Sequence, residues 1–252
     1  GNGVVLVAYP DGIQEYDIKS GESTFWTEVN SLSDINITAL FFDPLSDAFW
    51  VGYANGNIDK IKKNRVLNIP AIKIAQIPGD KKVNKFYQHS GFIYVSSGVG
   101  IVKINPVKNE VVESYYPTGS ANPILEMVIF QDTMYALTAN KLLKGSLQNP
   151  ALADQSQWIT DSRVDTPAST AKYQNIVLFK NSLYLSYLDN VYGKDSIFQL
   201  SNAGFQMVVG DVDMEITNLK VLNNKLHVIQ YYGVLSYEEI NLAPTILYEY
   251  AF

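Results

Sequence analysis

Six segments of the chain share one pattern: an apolar or aromatic strand, a short turn rich in Gly, Asn or Asp, and a second apolar strand. They begin at Leu6, Trp50, Tyr94, Tyr135, Tyr184 and His227, so successive anchors lie about 44, 44, 41, 49 and 43 residues apart. A unit of that length cannot bury its apolar face alone and gains a core only by stacking on copies of itself. A strand–turn–strand period in the low forties is the length of one β-propeller blade, a four-stranded antiparallel meander. The repeat therefore predicts an all-β chain, a single propeller domain over residues 1–252 with six or seven blades.

The flanks of each hairpin supply the remaining strands. Inner strands are expected at Ile37 to Phe42, Val83 to Gln88, Ile124 to Phe130, Ile176 to Phe179 and Ile216 to Leu222, all rich in β-branched and aromatic residues. Outer strands are expected at Thr24 to Val29, Arg65 to Ile69, Glu110 to Tyr116, Gln157 to Asp161, Phe205 to Val209 and Thr245 to Tyr250. Five inner strands face six outer ones, so the first repeat begins at its second strand and closure is incomplete on paper. The chain is read as a fragment of a longer, multi-domain surface protein. Two segments depart from the repeat: Leu188 to Asp195 lengthens a hairpin turn, and Asn149 to Trp158 inserts a short helical turn before an outer strand. Both suit tolerated surface insertions as well as functional loops.

Composition agrees with half-buried strands: 47% of the 252 residues are apolar, with 17 Tyr and 11 Phe. A net charge of −6 repels a phosphate backbone, and no Lys/Arg stripe stands out against it, so nucleic acid is not an expected partner. The chain has no cysteine, which removes disulfides, thiolate nucleophiles and Cys-ligated zinc together. No apolar run approaches the roughly 18 residues of a membrane span, so no transmembrane segment is expected. The first residues carry no basic segment followed by an apolar stretch, and any export signal is expected to have been removed or never present.

Motifs for chemistry are scarce. His89 and His227 lie far apart; His227 takes the place of Trp or Tyr in other repeats and reads as a packed core residue, and His89 precedes a turn and reads as solvated. Asp211, Asp213 and Glu215 alternate and would share one strand face, but the stretch lacks the glycine and the distal glutamate of a calcium loop. Glu238 and Glu239 are adjacent and would point to opposite faces of a strand, which spoils them as an acid–base pair. Gly98-Val99-Gly100 and Gly193-Lys194 lack the rest of a phosphate-binding loop. Tyr115-Tyr116, Tyr187, Tyr192 and Tyr231-Tyr232 could make contacts, though alternation sends one ring of each pair to the core. The chain reads as a non-enzyme: no catalytic, cofactor-binding or metal residue is assigned, no cofactor is expected, and the partner-binding residues stay unassigned.

One stretch carries a resemblance. Leu32-Ser33-Asp34 running into Trp50-Val51-Gly52-Tyr53-Ala54-Asn55-Gly56-Asn57-Ile58-Asp59 resembles the propeller repeats of Bacteroidetes surface and sensor proteins. With Gly98 to Val102 and Asn149 to Trp158 added, it is similar to the amino-terminal propeller of the PorZ family of the type IX secretion system. That resemblance implies an exported, non-enzymatic protein of the cell surface and outer membrane. Its partners would be a sortase-type component that trims secreted cargo and anionic lipopolysaccharide delivered as the cargo's anchor. It also implies two propellers and a small C-terminal β domain in the parent protein, with seven blades in this propeller. The alternative resemblance is to the periplasmic glycan-sensing propeller of a hybrid two-component regulator.

Overall fold

Each repeat folds as an antiparallel meander in which strands neighbouring in sequence are neighbours in the sheet. A computed structural model describes residues 3–63, 65–119, 122–169, 171–189, 195–202, 204–212 and 215–249, with the backbone alone for 211, 212, 248 and 249. By contacts the chain divides into two compact units, Gly1–Ile124 with Ala153–Gln155, and Leu125–Leu152 with Ser156–Phe252.

The first unit holds three sheets. One has three strands, β1 (Val4–Tyr9), β2 (Gly12–Asp17) and β3 (Ser23–Thr27), as expected for a repeat entered at its second strand. The next has four, β4 (Ile37–Asp43), β5 (Ala48–Tyr53), β6 (Ile58–Lys62) and β7 (Arg65–Asn68). A one-turn helix, α1 (Ala71–Ile74), leads into β8 (Val83–His89), β9 (Phe92–Ser97), β10 (Gly100–Asn105) and β11 (Glu110–Tyr115). In the second unit the four-stranded sheets are β12 (Glu126–Phe130), β13 (Thr133–Leu137), β14 (Leu142–Ser146) and β15 (Ile159–Thr160); β16 (Ala171–Phe179), β17 (Ser182–Asp189), β18 (Asp195–Ser201) and β19 (Gly204–Val212); and β20 (Ile216–Leu222), β21 (Lys225–Gln230), β22 (Gly233–Tyr237) and β23 (Thr245–Glu249). These are the blades of an all-β propeller fold. Among the described residues, no helix is long and apolar enough to cross a membrane.

The period of two in a strand explains how one blade packs on both sides. From β5, Val51 and Tyr53 join Ile13, Trp26, Leu32 and Ile61 in a cluster that reaches back to the first sheet. Trp50, one residue out of phase, joins Val83, Ile93, Val95 and Ile104 in a cluster that reaches forward to the third. Gly52 lies on that second face, where a Cβ would stand 2.3 Å from Val83 Cγ1, so the glycine lets β8 approach. In the second unit Tyr184, Phe179 and Ile197 pack against Ile216, Leu219 and Val228 of the following sheet in the same way.

Several boundaries differ from expectation for local reasons. The outer strand of the first sheet stops at Thr27 because Asn30 Oδ1 accepts the Thr27 N–H at 2.6 Å, and the Ser31 and Leu32 N–H groups donate to the Thr27 carbonyl. β15 keeps only two residues, since a 3-10 turn occupies Gln155–Gln157 and Trp158 turns inward, its Nε1 donating to the Leu152 carbonyl at 2.8 Å. The helical turn expected in that insertion is thus present. β16 starts earlier than expected, at Ala171, and absorbs the extra length in a bulge between Tyr173 and Ile176. First hairpins turn through pairs of residues with positive φ: Ser90-Gly91, Gln131-Asp132, Lys180-Asn181 and Asn223-Asn224. That is the two-residue turn whose twist matches the strands.

Candidate functional site

Six of the residues that carry the sequence resemblance, Ser33, Asp34, Tyr53, Asn55, Asn57 and Asp59, form a brace at the end of the second sheet. The Asp59 carboxylate is buried and accepts three hydrogen bonds, from the Tyr53 hydroxyl at 2.7 Å, the Ser33 N–H at 2.8 Å and Asn68 Nδ2 at 3.0 Å. Asp34 accepts from Asn55 Nδ2 at 2.6 Å, Asn57 Nδ2 at 3.3 Å and Lys73 Nζ at 2.6 Å. The Leu-Ser-Asp entry loop, the Asn-Gly turn, the outer strand and α1 are thereby tied into one network. Burial and the Asp59 carboxylate push the Tyr53 hydroxyl far above its ordinary range, so it stays a donor. Burial alone would raise the Asp34 carboxyl, but the Lys73 and Asn55 hydrogen bonds outweigh it and hold the group below its usual value. With its acceptors filled by protein donors, this network is built to fix loops.

Other charged groups are likewise engaged. Asp161 is buried and held by Arg163 through two contacts at 2.9 and 2.5 Å, with Lys144 Nζ at 3.3 Å. Burial pushes its pKa up, yet the Arg163 hydrogen bonds and the two cations bring it below the ordinary carboxylate value. Asp195 is buried too, accepts the Ile216 N–H at 2.6 Å and the Asp189 N–H at 3.3 Å, and is raised by burial with the nearby Glu215 and Asp189 charges adding to the effect. Glu238 and Glu239 are not on a strand: β22 ends at Tyr237, and they lie in the following bend, paired with Lys225 at 2.7 Å and with Lys180 respectively. Asp211 lies on β19 with only its backbone described, Asp213 lies outside the described residues, and Glu215 is exposed.

The histidine and tyrosine expectations need correction in part. His227 holds the third position of β21, the register of Trp50 in β5 and Tyr94 in β9, yet it is half-buried rather than core. His89 is half-buried, not fully solvated, and stacks on Tyr87 at 6.2 Å. Tyr115 is buried with its hydroxyl donating to Glu113 at 2.6 Å, Tyr116 and Tyr187 are half-buried, and Tyr192 lies outside the described residues. Tyr231 and Tyr232 are 67% and 36% exposed and pack edge to face, because they occupy a hairpin turn where strand alternation does not apply.

The sequence reading missed one feature. Four of the six residues 60–65 are cationic, and the β6–β7 hairpin brings Lys60, Lys62, Lys63 and Arg65 to one open groove of about 580 Å³ completed by Val66, Leu67 and Asn109. Lys60 extends across Trp50, 5.5 Å from the ring centroid, and bonds the Pro106 carbonyl and Asn109 Oδ1. Burial and the neighbouring Lys62 lower its pKa. The stripe is invisible to a chain-wide charge count because the whole chain is acidic.

The family described as "TSS9, PorZ, N-terminal beta-propeller domain" matches residues 6–159. The chain belongs to this PorZ propeller family. No curated protein sequence matches it. Its structure is similar to PorZ, a surface component of the type-IX secretion system of Porphyromonas gingivalis, with TM-score 0.75 and 17% identity over 94% of this chain and 30% of that one. It is similar also to the extracellular domain of a putative hybrid two-component system of B. thetaiotaomicron, with TM-score 0.70 and 13% identity over 100% of this chain and 32% of that one. WD40 repeats of RRP9 match with TM-score 0.65 and 11% identity over 98% of this chain and 77% of that one. Identities this low show the fold alone. The chain spans about a third of the length of the PorZ and two-component structures. The PorZ-family match covers the brace of Asp34, Asn55 and Asp59 and the basic groove alike.

Proposed function

We propose that the chain is a non-enzymatic, surface-exposed binding propeller of a type IX secretion system component, one domain of a longer exported protein. It works beside a sortase-type component and takes part in delivering anionic lipopolysaccharide to secreted cargo. The observation that carries this reading is the PorZ family match over residues 6–159. The engaged state of the buried carboxylates agrees with a scaffold, since Asp59, Asp161 and Asp195 spend their acceptors on neighbouring donors rather than on an open cleft. Deleting the segment from its parent gene in the native organism tests it. Cargo is expected to lose its surface anchor and appear untrimmed in the medium. Normal cargo retention would contradict the proposal.

The likeness to the two-component extracellular domain over the full chain supports a second reading, a periplasmic sensor propeller for glycan fragments. In that case a ligand shifts an assembly equilibrium through its different affinity for two states. The same deletion would then leave cargo untouched and abolish a transcriptional response to a glycan.

A further inference from the structure

The β6–β7 hairpin is the outer edge of its sheet, because among the described residues β7 pairs with β6 alone. The Ile69 N–H donates to the Ile58 carbonyl at 2.7 Å, which makes Ile58 and Ile69 a hydrogen-bonded pair. By the alternation of an antiparallel ladder, Lys60↔Leu67 and Lys62↔Arg65 are also such pairs, and the backbone groups of Val66 and Asn68 point to the open edge. The same register sets Lys62 directly opposite Arg65, a like-charge cross-strand pair that costs stability unless an anion lies beside it. Lys62 Nζ is partly occupied by the Ser46 carbonyl at 2.7 Å. The side chains of Lys63 and Arg65 are exposed and, among the described residues, make no hydrogen bond or ion pair. Among the described residues no carboxylate lines the groove, and Leu67 is 43% exposed along it.

We propose that this edge docks an extended acidic peptide segment of a protein partner, which adds as a fifth strand beside β7 with its acidic side chains against Lys62, Lys63 and Arg65. Strand addition supplies affinity through main-chain hydrogen bonds, and the side-chain pattern supplies selectivity. An alternating acidic and aliphatic segment sets its acidic side chains on the face of Lys62 and Arg65 and its aliphatic side chains on the opposite face, that of Val66. Nucleic acid is disfavoured by the acidic remainder of the molecule, and sugar rings find no exposed aromatic face in the groove. Edge lysines commonly guard a strand against pairing. A guard, however, does not account for two cations placed opposite each other with no carboxylate between them. The inference stands on the hairpin geometry and does not depend on the secretion role.

The test uses the intact chain and a fluorescein-labelled peptide of about eight residues alternating Glu and Val, long enough to span an edge strand, followed by anisotropy at low and at moderate salt. Binding is expected to weaken with salt, and the doubly substituted Lys63→Ser/Arg65→Ser chain is expected to bind about tenfold or more weakly. A peptide N-methylated at alternate amides keeps every charge but cannot pair, and it is expected to lose binding to a similar degree. Equal binding of the N-methylated peptide would overturn strand addition. Preference for dextran sulfate over the peptide would make the groove a polysaccharide site instead. Unchanged peptide binding by the double variant, accompanied by its self-association, would identify the cations as an edge guard.

Discussion

Trp50→Ala probes the packing of one blade on the next. Trp50 is fully buried, stands 6.3 Å from the Phe86 ring and belongs to the cluster of Val83, Ile93 and Val95. Truncating a buried tryptophan typically costs about 3–5 kcal/mol, from lost transfer energy and the cavity left behind. Its Nε1 is buried without a hydrogen-bond partner among the described residues, a penalty of about 1–3 kcal/mol that the substitution removes. The net loss is therefore expected near the lower end, about 3 kcal/mol. In a domain of this size that corresponds to a fall in Tm of about 6–12 °C. Trp50→Phe keeps most of the ring, deletes the orphaned N–H and is expected to stay within about 1 kcal/mol of the parent. Urea unfolding followed by far-UV circular dichroism reads both variants without depending on the fluorescence of the altered residue. A Trp50→Ala loss below about 1 kcal/mol, or a Trp50→Phe loss equal to it, would refute this account of the interface.

Gly52→Ala places a Cβ 2.3 Å from Val83 Cγ1 and is expected to cost about 1–3 kcal/mol, with Val83→Ala restoring part of it; additive losses in the double variant would show that the two do not meet. Tyr53→Phe removes a donor from the buried Asp59 carboxylate and is expected to lower stability by about 1–3 kcal/mol while leaving partner binding intact; lost binding at unchanged stability would make the brace a recognition site. Asp161 has a folded pKa below its unfolded value of 3.8, so its contribution is present above that value and is lost as pH falls toward the folded pKa. Stability of the parent should drop more steeply below about pH 4 than that of Asp161→Asn, and parallel acid limbs in chemical denaturation would exclude the effect.

Period carried most of what was legible. The anchors Leu6, Trp50, Tyr94, Tyr135, Tyr184 and His227 each occupy the third position of the second strand of their repeat, and Leu6, Trp50 and Tyr184 show why: the side chain there meets the next sheet of its unit. The three-stranded first sheet follows from the same count. Also periodic, though unread, is the lysine opposite the aromatic anchor: Trp50↔Lys60, Tyr94↔Lys103 and Tyr135↔Lys144 are cross-strand pairs. Strand ends were less legible where side chains rather than strand propensity set them, as Asn30 does after β3 and Trp158 does before β15. Burial of His227 could not be read from its register: it shares the strand position of the fully buried Trp50 yet is half-buried. The basic groove escaped because its significance lies in the pairing of Lys62 with Arg65 across a hairpin, which a linear charge count averages away.

Calorimetric titration of the purified chain with a sortase-type component of a type IX secretion system tests the proposed role most directly. A stoichiometric complex, formed without turnover of cargo peptide by the chain itself, is the predicted result. No heat with that component, together with saturable binding of a glycan fragment, would contradict the secretion reading and assign the propeller to sensing.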